Sequence, residues 1–494
     1  MKSNLFIPFD NSFASLPIDF YVKMYPEQMP NLKLIKFNEC LSDLLGLPSK
    51  QLQGQDGIDF LGGKNILYNQ EPLAQVYAGH QFGNFVPQLG DGRAILLGEV
   101  IDRIGTRYDI QLKGSGKTPF SRMGDGRSGL GPVLREYIVS EAMFAFGIPT
   151  TRALGALYTG ETVVRDMPVP GALLIRVAKS HVRIGTFEYF ARKGQTNKVK
   201  ELADYVINRH YPDVKNGPNK YWDLLENVIK KQALLIAKWM GIGFIHGVMN
   251  TDNTTLSGET IDFGPCAFMD SFDLEKVYSS IDVQGRYRFS NQPYITVWNL
   301  SRLAETLLPL IDENQTTAIK KAEHLLETYL PLFSKHWVEI MGTKLGIKKP
   351  KAADKALIEG LLKNMQDGQS DFTQTFRKLS FLIDKNYEKE WFALFSNPGN
   401  PELKNWITKW KNRIELNDAS RPVILDQLKN NNPCIIPRNH LIEKCISEAL
   451  KGDLNLFHRL LKALETPYIS HPEFEEFSKP PKNNEIVHQT FCGT

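Results

Sequence analysis

The sequence predicts an α+β fold of two lobes, an N-terminal lobe built on a sheet and a larger helical C-terminal lobe. Three observations carry this expectation. The 494 residues exceed what one core ordinarily serves, so two or more units of roughly 100–200 residues are expected. Between 85 and 115 the apolar residues fall in short runs separated by Gly-Asp turns, as in a small antiparallel sheet. From 300 to about 465 the apolar spacing is mostly helical.

In chain order, residues 1–60 read as an extension packed on the first lobe. Residues 61–172 form that lobe, 173–465 the helical lobe with its catalytic and metal-binding loops, and 466–494 a mobile tail rich in Pro, Glu and Lys. Residues 94–100 are a compact apolar run. In 108–112, Tyr108, Ile110 and Leu112 share one face of a strand. A helix is predicted over 132–146, with Pro132 in its first turn and Gly147 and Pro149 ending it. Strands follow at 153–158 and 173–178. The stretch 194–220 is polar and reads as surface. A second helix is predicted over 222–240 from the spacing of Leu225, Ile229, Leu235 and Trp239, terminated by Gly241 and Gly243.

Composition narrows the class. Hydrophobic residues are 42% and charged residues 23%, the balance of a soluble globular protein. The net charge of +4, from 59 basic and 55 acidic residues, points to neither a nucleic-acid nor a membrane partner. No apolar run approaches the ~20 residues that span a bilayer. Residues 1–10 lead into no signal-peptide core, so the cytoplasm is the expected location. Oligomeric state is left open by the sequence, with a monomer as the expectation. The five cysteines form no Cys-x-x-Cys pair, which suits reduced thiols.

The chemistry concentrates in four places. His246-Gly247-Val248-Met249-Asn250-Thr251-Asp252-Asn253, followed by Ile261-Asp262-Phe263-Gly264, resembles the catalytic loop and metal-binding segment of protein kinases. Asn253 and Asp262 supply oxygen ligands for a divalent metal, brought together by a turn at Ser257-Gly258. Gly247 and Val248 replace the kinase Arg and Asp, so the ordinary base is missing, and Asp252 is the nearest substitute. Lys113 closes an alternating strand and can reach phosphates while pairing with Glu136 on the next helix. The loops at Gly90-Asp91-Gly92-Arg93, Lys113-Gly114-Ser115-Gly116-Lys117 and Gly124-Asp125-Gly126-Arg127 are weak phosphate-binding signals taken singly. Arg176 and Arg183 lie seven residues apart beside a strand, where ordinary kinases need no arginine.

Together these motifs resemble the selenoprotein O family, a protein-kinase-like group of pseudokinases. The resemblance spans nearly the whole chain. It is carried also by Tyr77-Ala78-Gly79-His80-Gln81-Phe82-Gly83, Pro87-Gln88-Leu89-Gly90-Asp91-Gly92-Arg93 and Arg122-Met123-Gly124-Asp125-Gly126-Arg127. It implies a protein adenylyltransferase that binds ATP in a flipped orientation and moves AMP to Ser, Thr or Tyr hydroxyls of proteins, with Mg2+ or Mn2+. UMP transfer with manganese is the implied variant. The implied nucleotide contacts are Gly90, Gly92, Arg93, Lys113, Asp125, Gly126, Arg176 and Arg183. The implied metal ligands are Asn253 and Asp262, the base is Asp252, and Glu136 positions the lysine. A flipped ATP would bury its γ-phosphate on Arg176 and Arg183 and leave its α-phosphorus facing the acceptor.

Cys492 stands where eukaryotic members carry selenocysteine. With Cys266 beside the metal segment, a reversible Cys266–Cys492 disulfide linked to redox homeostasis is the expectation. Two rival readings are a true phosphotransferase and a non-catalytic ATP-binding scaffold.

Overall fold

The computed structural model describes residues 5–383 and 387–491. Its main sheet has seven strands, all antiparallel: β1 (Tyr21–Lys23), β2 (Lys33–Phe37), β3 (Leu73–Gln75), β6 (Ala94–Ile101), β7 (Arg107–Lys113), β8 (Arg152–Val164) and β9 (Pro168–Ala178), in the spatial order β1-β3-β6-β7-β9-β8-β2. A hairpin of β4 (Gly79–Gln81) and β5 (Asn84–Val86) stands apart from it. The first 60 residues do more than pack on the sheet, since β1 and β2 are its two edges.

The alternation read at 108–112 sets the sheet's two faces. Ile110 and Leu112 of β7 join Ile175 and Val177 of β9 in one buried cluster, with Tyr108 packed against it. Leu5, Ile7, Leu41, Leu52, Phe60 and Leu61 complete that cluster, so the N-terminal segment covers this face. The opposite face carries Asp109, Gln111 and Lys113, and across the ladder Gln111 pairs with Arg176. A strand whose alternate residues are charged and buried requires polar partners on that side. Gln111 and Lys113 find them in the site described below, and Asp109 finds them in His181 and Arg209.

The helix Leu130–Ala145 lies against β8 and β9, two residues earlier in start than Pro132 suggested. The helix Lys220–Gly241 matches the predicted spacing. The stretch 194–220 differs from its reading as polar surface. It contains the helix Thr196–His210, whose Val199, Leu202, Ala203, Val206 and Ile207 are buried. Helical residues follow from Gln292 onward, over the predicted 300–465 region.

The tail is anchored as far as it is described. Phe474 and Phe477 are buried. The Thr490 amide donates to the Tyr278 carbonyl at 2.7 Å, and its carbonyl accepts from the Ser280 amide at 3.0 Å. Among the described residues, no helix is long and apolar enough to cross a membrane.

Candidate active site

The predicted residues Gly90, Gly92, Arg93, Lys113, Asp125, Gly126, Glu136, Arg176, Arg183, Asp252, Asn253 and Asp262 all line one cavity of about 870 Å³. It opens between the polar face of the sheet and the 246–265 loop.

That loop is held at both ends. β10 (Phe244–Ile245) pairs with β11 (Ala267–Phe268). His246 stacks on Trp239 at 5.3 Å between ring centroids. Burial keeps the imidazole neutral by lowering its pKa. Its Nε2 must donate, because its partner is the Ile261 carbonyl at 2.8 Å. His246 therefore fixes the peptide just before Asp262. Asp262 itself adopts φ +61°, a conformation that is strained for a residue with a side chain.

Three cations converge on the Asp262 carboxylate. Lys113 Nζ lies 2.9 Å from Oδ1, Arg176 Nη1 lies 2.7 Å from Oδ1, and Arg183 Nη1 lies 3.4 Å from Oδ2. Burial alone would raise the pKa of this acid, but the three cations hold it well below the usual carboxylate range. Glu136 completes the group, with Oε2 2.6 Å from Lys113 Nζ and Oε1 3.3 Å from Arg176 Nη1. Gln111 accepts from Arg176 Nε at 3.2 Å. Arg183 also donates to the Asp252 carbonyl at 2.9 Å, and its guanidinium lies 4.4 Å from the Tyr77 ring centroid. Its Nη2 is buried with no hydrogen-bond partner among the described residues.

Asp252 sits on the short 3-10 turn Thr251–Asn253. Its Oδ2 accepts from Gln81 Nε2 at 3.2 Å, while its buried Oδ1 has no hydrogen-bond partner among the described residues. Burial raises its carboxyl to about 6. Asn253 donates through Nδ2 to the Val248 carbonyl at 2.9 Å. That bond commits the nitrogen and leaves the amide oxygen as the group on offer. The available donors, Asp262 oxygens, the Asn253 amide oxygen and the idle Asp252 oxygen, are all hard oxygens. This set fits a Mg2+-like or Mn2+-like ion.

The glycine loops form the cavity's other wall. Gly126 has φ +68°, and a Cβ there would stand 2.0 Å from the Gly116 carbonyl oxygen. The two loops can touch only through glycine. Asp125 faces the rim and pairs with Arg165 at 2.8 Å. Among the described residues Arg93 has no salt bridge, so its charge is uncommitted at the cavity wall. Cys266 is buried just after this segment, its Sγ 3.4 Å from the Phe263 carbonyl. Cys492 lies outside the described residues.

Comparison with known proteins decides the family. The family model "Protein adenylyltransferase SelO" matches residues 4–465. The chain is 52% identical over 490 residues to "Protein nucleotidyltransferase YdiU" of Rhizobium rhizogenes, covering 99% of this chain and 97% of that protein. It is 50% identical over 489 residues to the protein of that name from Rhodopseudomonas palustris, covering 99% of each. Against the one from Geobacillus kaustophilus it is 49% identical over 487 residues, covering 98% and 99%.

The chain belongs to the SelO family.

One part of the SelO site escaped sequence reasoning. The string 77–83 carried the resemblance without a role. In the fold it runs into the β4–β5 hairpin, which lies over the 246–265 loop. A Cβ on Gly79 would lie 2.7 Å from Asp252 Oδ1, so the hairpin backbone touches this acid. The His80 amide donates to the Thr251 hydroxyl at 2.7 Å, and the Thr251 hydroxyl donates to Glu188. Glu188 Oε1 meets His80 Nδ1 at 2.5 Å. Burial raises Glu188 to about 7 and lowers His80 to about 4. The only sequence signal was a His-Gln pair between glycines, and nothing local says which loop it will cover.

Proposed function

We propose that this chain is a protein adenylyltransferase, moving AMP from ATP to Ser, Thr or Tyr hydroxyls of other proteins and releasing pyrophosphate. Its family membership supports nucleotidyl transfer to protein. The observation that favours a flipped nucleotide is the convergence of Lys113, Arg176 and Arg183 on Asp262. Ordinary kinases place one lysine at this depth, and two further buried guanidinium groups suit a phosphate inserted beyond it.

In this reading Arg176 and Arg183 take the terminal phosphate, and Lys113, positioned by Glu136, takes the neighbouring one. The Gly90–Arg93 and Asp125–Arg127 loops border the rest of the nucleotide. Asn253 and Asp262 would hold the divalent ion, Mg2+ or Mn2+, which would supply charge neutralisation for the phosphates. Asp252 accepts the acceptor hydroxyl's proton as its oxygen bonds to the α-phosphorus. The bond from that phosphorus to the bridging oxygen of pyrophosphate breaks in the same displacement. Catalysis is then positioning and charge neutralisation.

We also propose a protein-kinase-like arrangement, with 61–172 as the sheet lobe and 173–465 as the helical lobe, in a cytoplasmic monomer. Cys266 and Cys492 are proposed as a redox pair. Thr490 Oγ1 donates to the Pro265 carbonyl at 2.5 Å, which ties the tail to the residue before Cys266.

The test compares ATP labelled at the α-phosphate with ATP labelled at the γ-phosphate in a whole-cell extract. Labelled protein is expected only from the α label, and chelation of divalent metal abolishes it. Labelling only from the γ position overturns the reading in favour of a phosphotransferase. UTP labelled at the α-phosphate with manganese distinguishes UMP transfer.

A further inference from the structure

A second groove, of about 1020 Å³, lies in the helical region and shares no lining residue with the nucleotide cavity. It runs between the helices Lys355–Asp367 and Pro401–Glu415, with residues 348–354 at one end. Its walls carry Lys348, Lys349, Lys351, Lys363, Lys409 and Arg413, against two acids, Asp354 and Glu402. The whole chain is nearly balanced at 59 basic and 55 acidic residues, so this is a local concentration.

The two acids are already committed. Asp354 is gripped in a bidentate pair by Arg413, at 2.6 and 3.0 Å. Glu402 pairs with Lys363 at 3.4 Å. Lys348, Lys349, Lys351 and Lys409 are exposed, and among the described residues none of them has a salt bridge. Four mutually repelling ammonium groups around one concavity favour a negative occupant.

The floor says which kind. Ala353, Ala356, Leu357, Gly360 and Leu416 are apolar, and Leu416 is 77% exposed. Trp406 lies beneath, 4% exposed, with its indole N–H held by the Leu357 carbonyl at 2.8 Å. A single-stranded nucleic acid needs an open aromatic face for base stacking, and this ring offers none. An acidic peptide segment with interspersed apolar side chains satisfies both rim and floor.

We propose that this groove docks an acidic, apolar-containing polypeptide segment of a partner protein. Its use for presenting acceptor proteins to the transfer site rests on the function proposed above. The groove's choice of ligand does not.

The test is fluorescence anisotropy on the full chain, with a fluorescein-labelled peptide of glutamate and leucine as probe. Its glutamine-for-glutamate counterpart and a labelled oligothymidylate are run alongside. The wild type is expected to bind the Glu/Leu peptide, more weakly as salt rises. A Lys348→Glu, Lys349→Glu, Lys409→Glu variant is expected to lose at least about tenfold in affinity, worth about 1.4 kcal/mol. Ala356→Trp fills the floor without altering charge and is expected to weaken the same peptide. Equal peptide binding by wild type and both variants overturns the proposal. So does preference of the wild type for oligothymidylate that the charge reversal abolishes. Because no transfer is measured, an Asp262→Asn protein that binds the peptide normally separates failure of the catalytic reading from failure of this one.

Discussion

Arg176 donates to the Asp262 carboxylate at 2.7 Å, from a guanidinium that is itself buried. The sequence put these residues to different tasks, one for phosphate and one for metal. In the fold they are each other's counter-ion. On the function proposed above, nucleotide entry would exchange this internal ion pair for phosphate and metal contacts.

Asp262→Asn tests that exchange. Removing one partner of a buried ion pair costs about 3–5 kcal/mol, because uncompensated charge remains. We expect transfer to be lost and thermal denaturation to occur several degrees lower. An unchanged midpoint would show that Lys113, Arg176 and Arg183 do not depend on this carboxylate.

Lys113→Met removes one of the three cations while Arg176 remains on Glu136. Losing one preorganised donor of this kind costs about 100-fold in rate. The expected outcome is that loss in α-label transfer with native secondary structure retained, read by circular dichroism. Near-wild-type transfer would exclude Lys113 from the phosphate site.

Gln81→Leu takes away the donor that orients Asp252. We expect kcat to fall about tenfold, about 1.4 kcal/mol of positioning, with ATP affinity unchanged. An equal loss of ATP binding would instead make Gln81 part of the nucleotide wall.

Gly126→Ala places a methyl against the Gly116 carbonyl at a backbone angle that side chains resist. The loop pair must separate. ATP affinity is expected to fall about tenfold by titration calorimetry, while Gly124→Ala, whose nearest contact would be 3.2 Å, is expected to be milder.

Lys344 gives a pH dependence with a definite sign. It is 5% exposed, and burial lowers its ammonium from 10.5 to about 7. Its Nζ lies 4.8 Å from the Phe376 ring centroid. Between about 7 and 10.5 the unfolded chain binds the proton more fully than the folded one, so stability rises with pH across this window. Lys344→Met removes that slope and is expected to raise the midpoint by about 2 °C at pH 7. Denaturation scans at pH 7 and pH 9.5 check it; equal pH slopes in both proteins would contradict it.

Some of this was legible locally. The faces of β7 followed from alternation, because Ile110 and Leu112 meet apolar neighbours while Lys113 meets the cleft and Gln111 the Arg176 guanidinium behind it. The 196–210 helix was missed because Asn, Lys and Pro recur through the 194–220 stretch, although Val199, Leu202, Ala203 and Val206 keep helical spacing. β1 and β2 were missed because they are three and five residues long and are strands only through partners far along the chain. The expected mobility of the tail overlooked Phe474 and Phe477, two aromatics close enough to anchor it.

The sequence by itself determined the chemical inventory: a lysine on a strand, an Asp-Asn pair, an Asp-Phe-Gly segment and two extra arginines, each readable because the chemistry depends on residue type and spacing. Only the tertiary structure decided that three cations share one carboxylate and that the 79–86 hairpin lies on Asp252. Those relations join residues far apart in the chain, 171 positions between Gln81 and Asp252. Burial and close approach at that range come from packing, which no local pattern records.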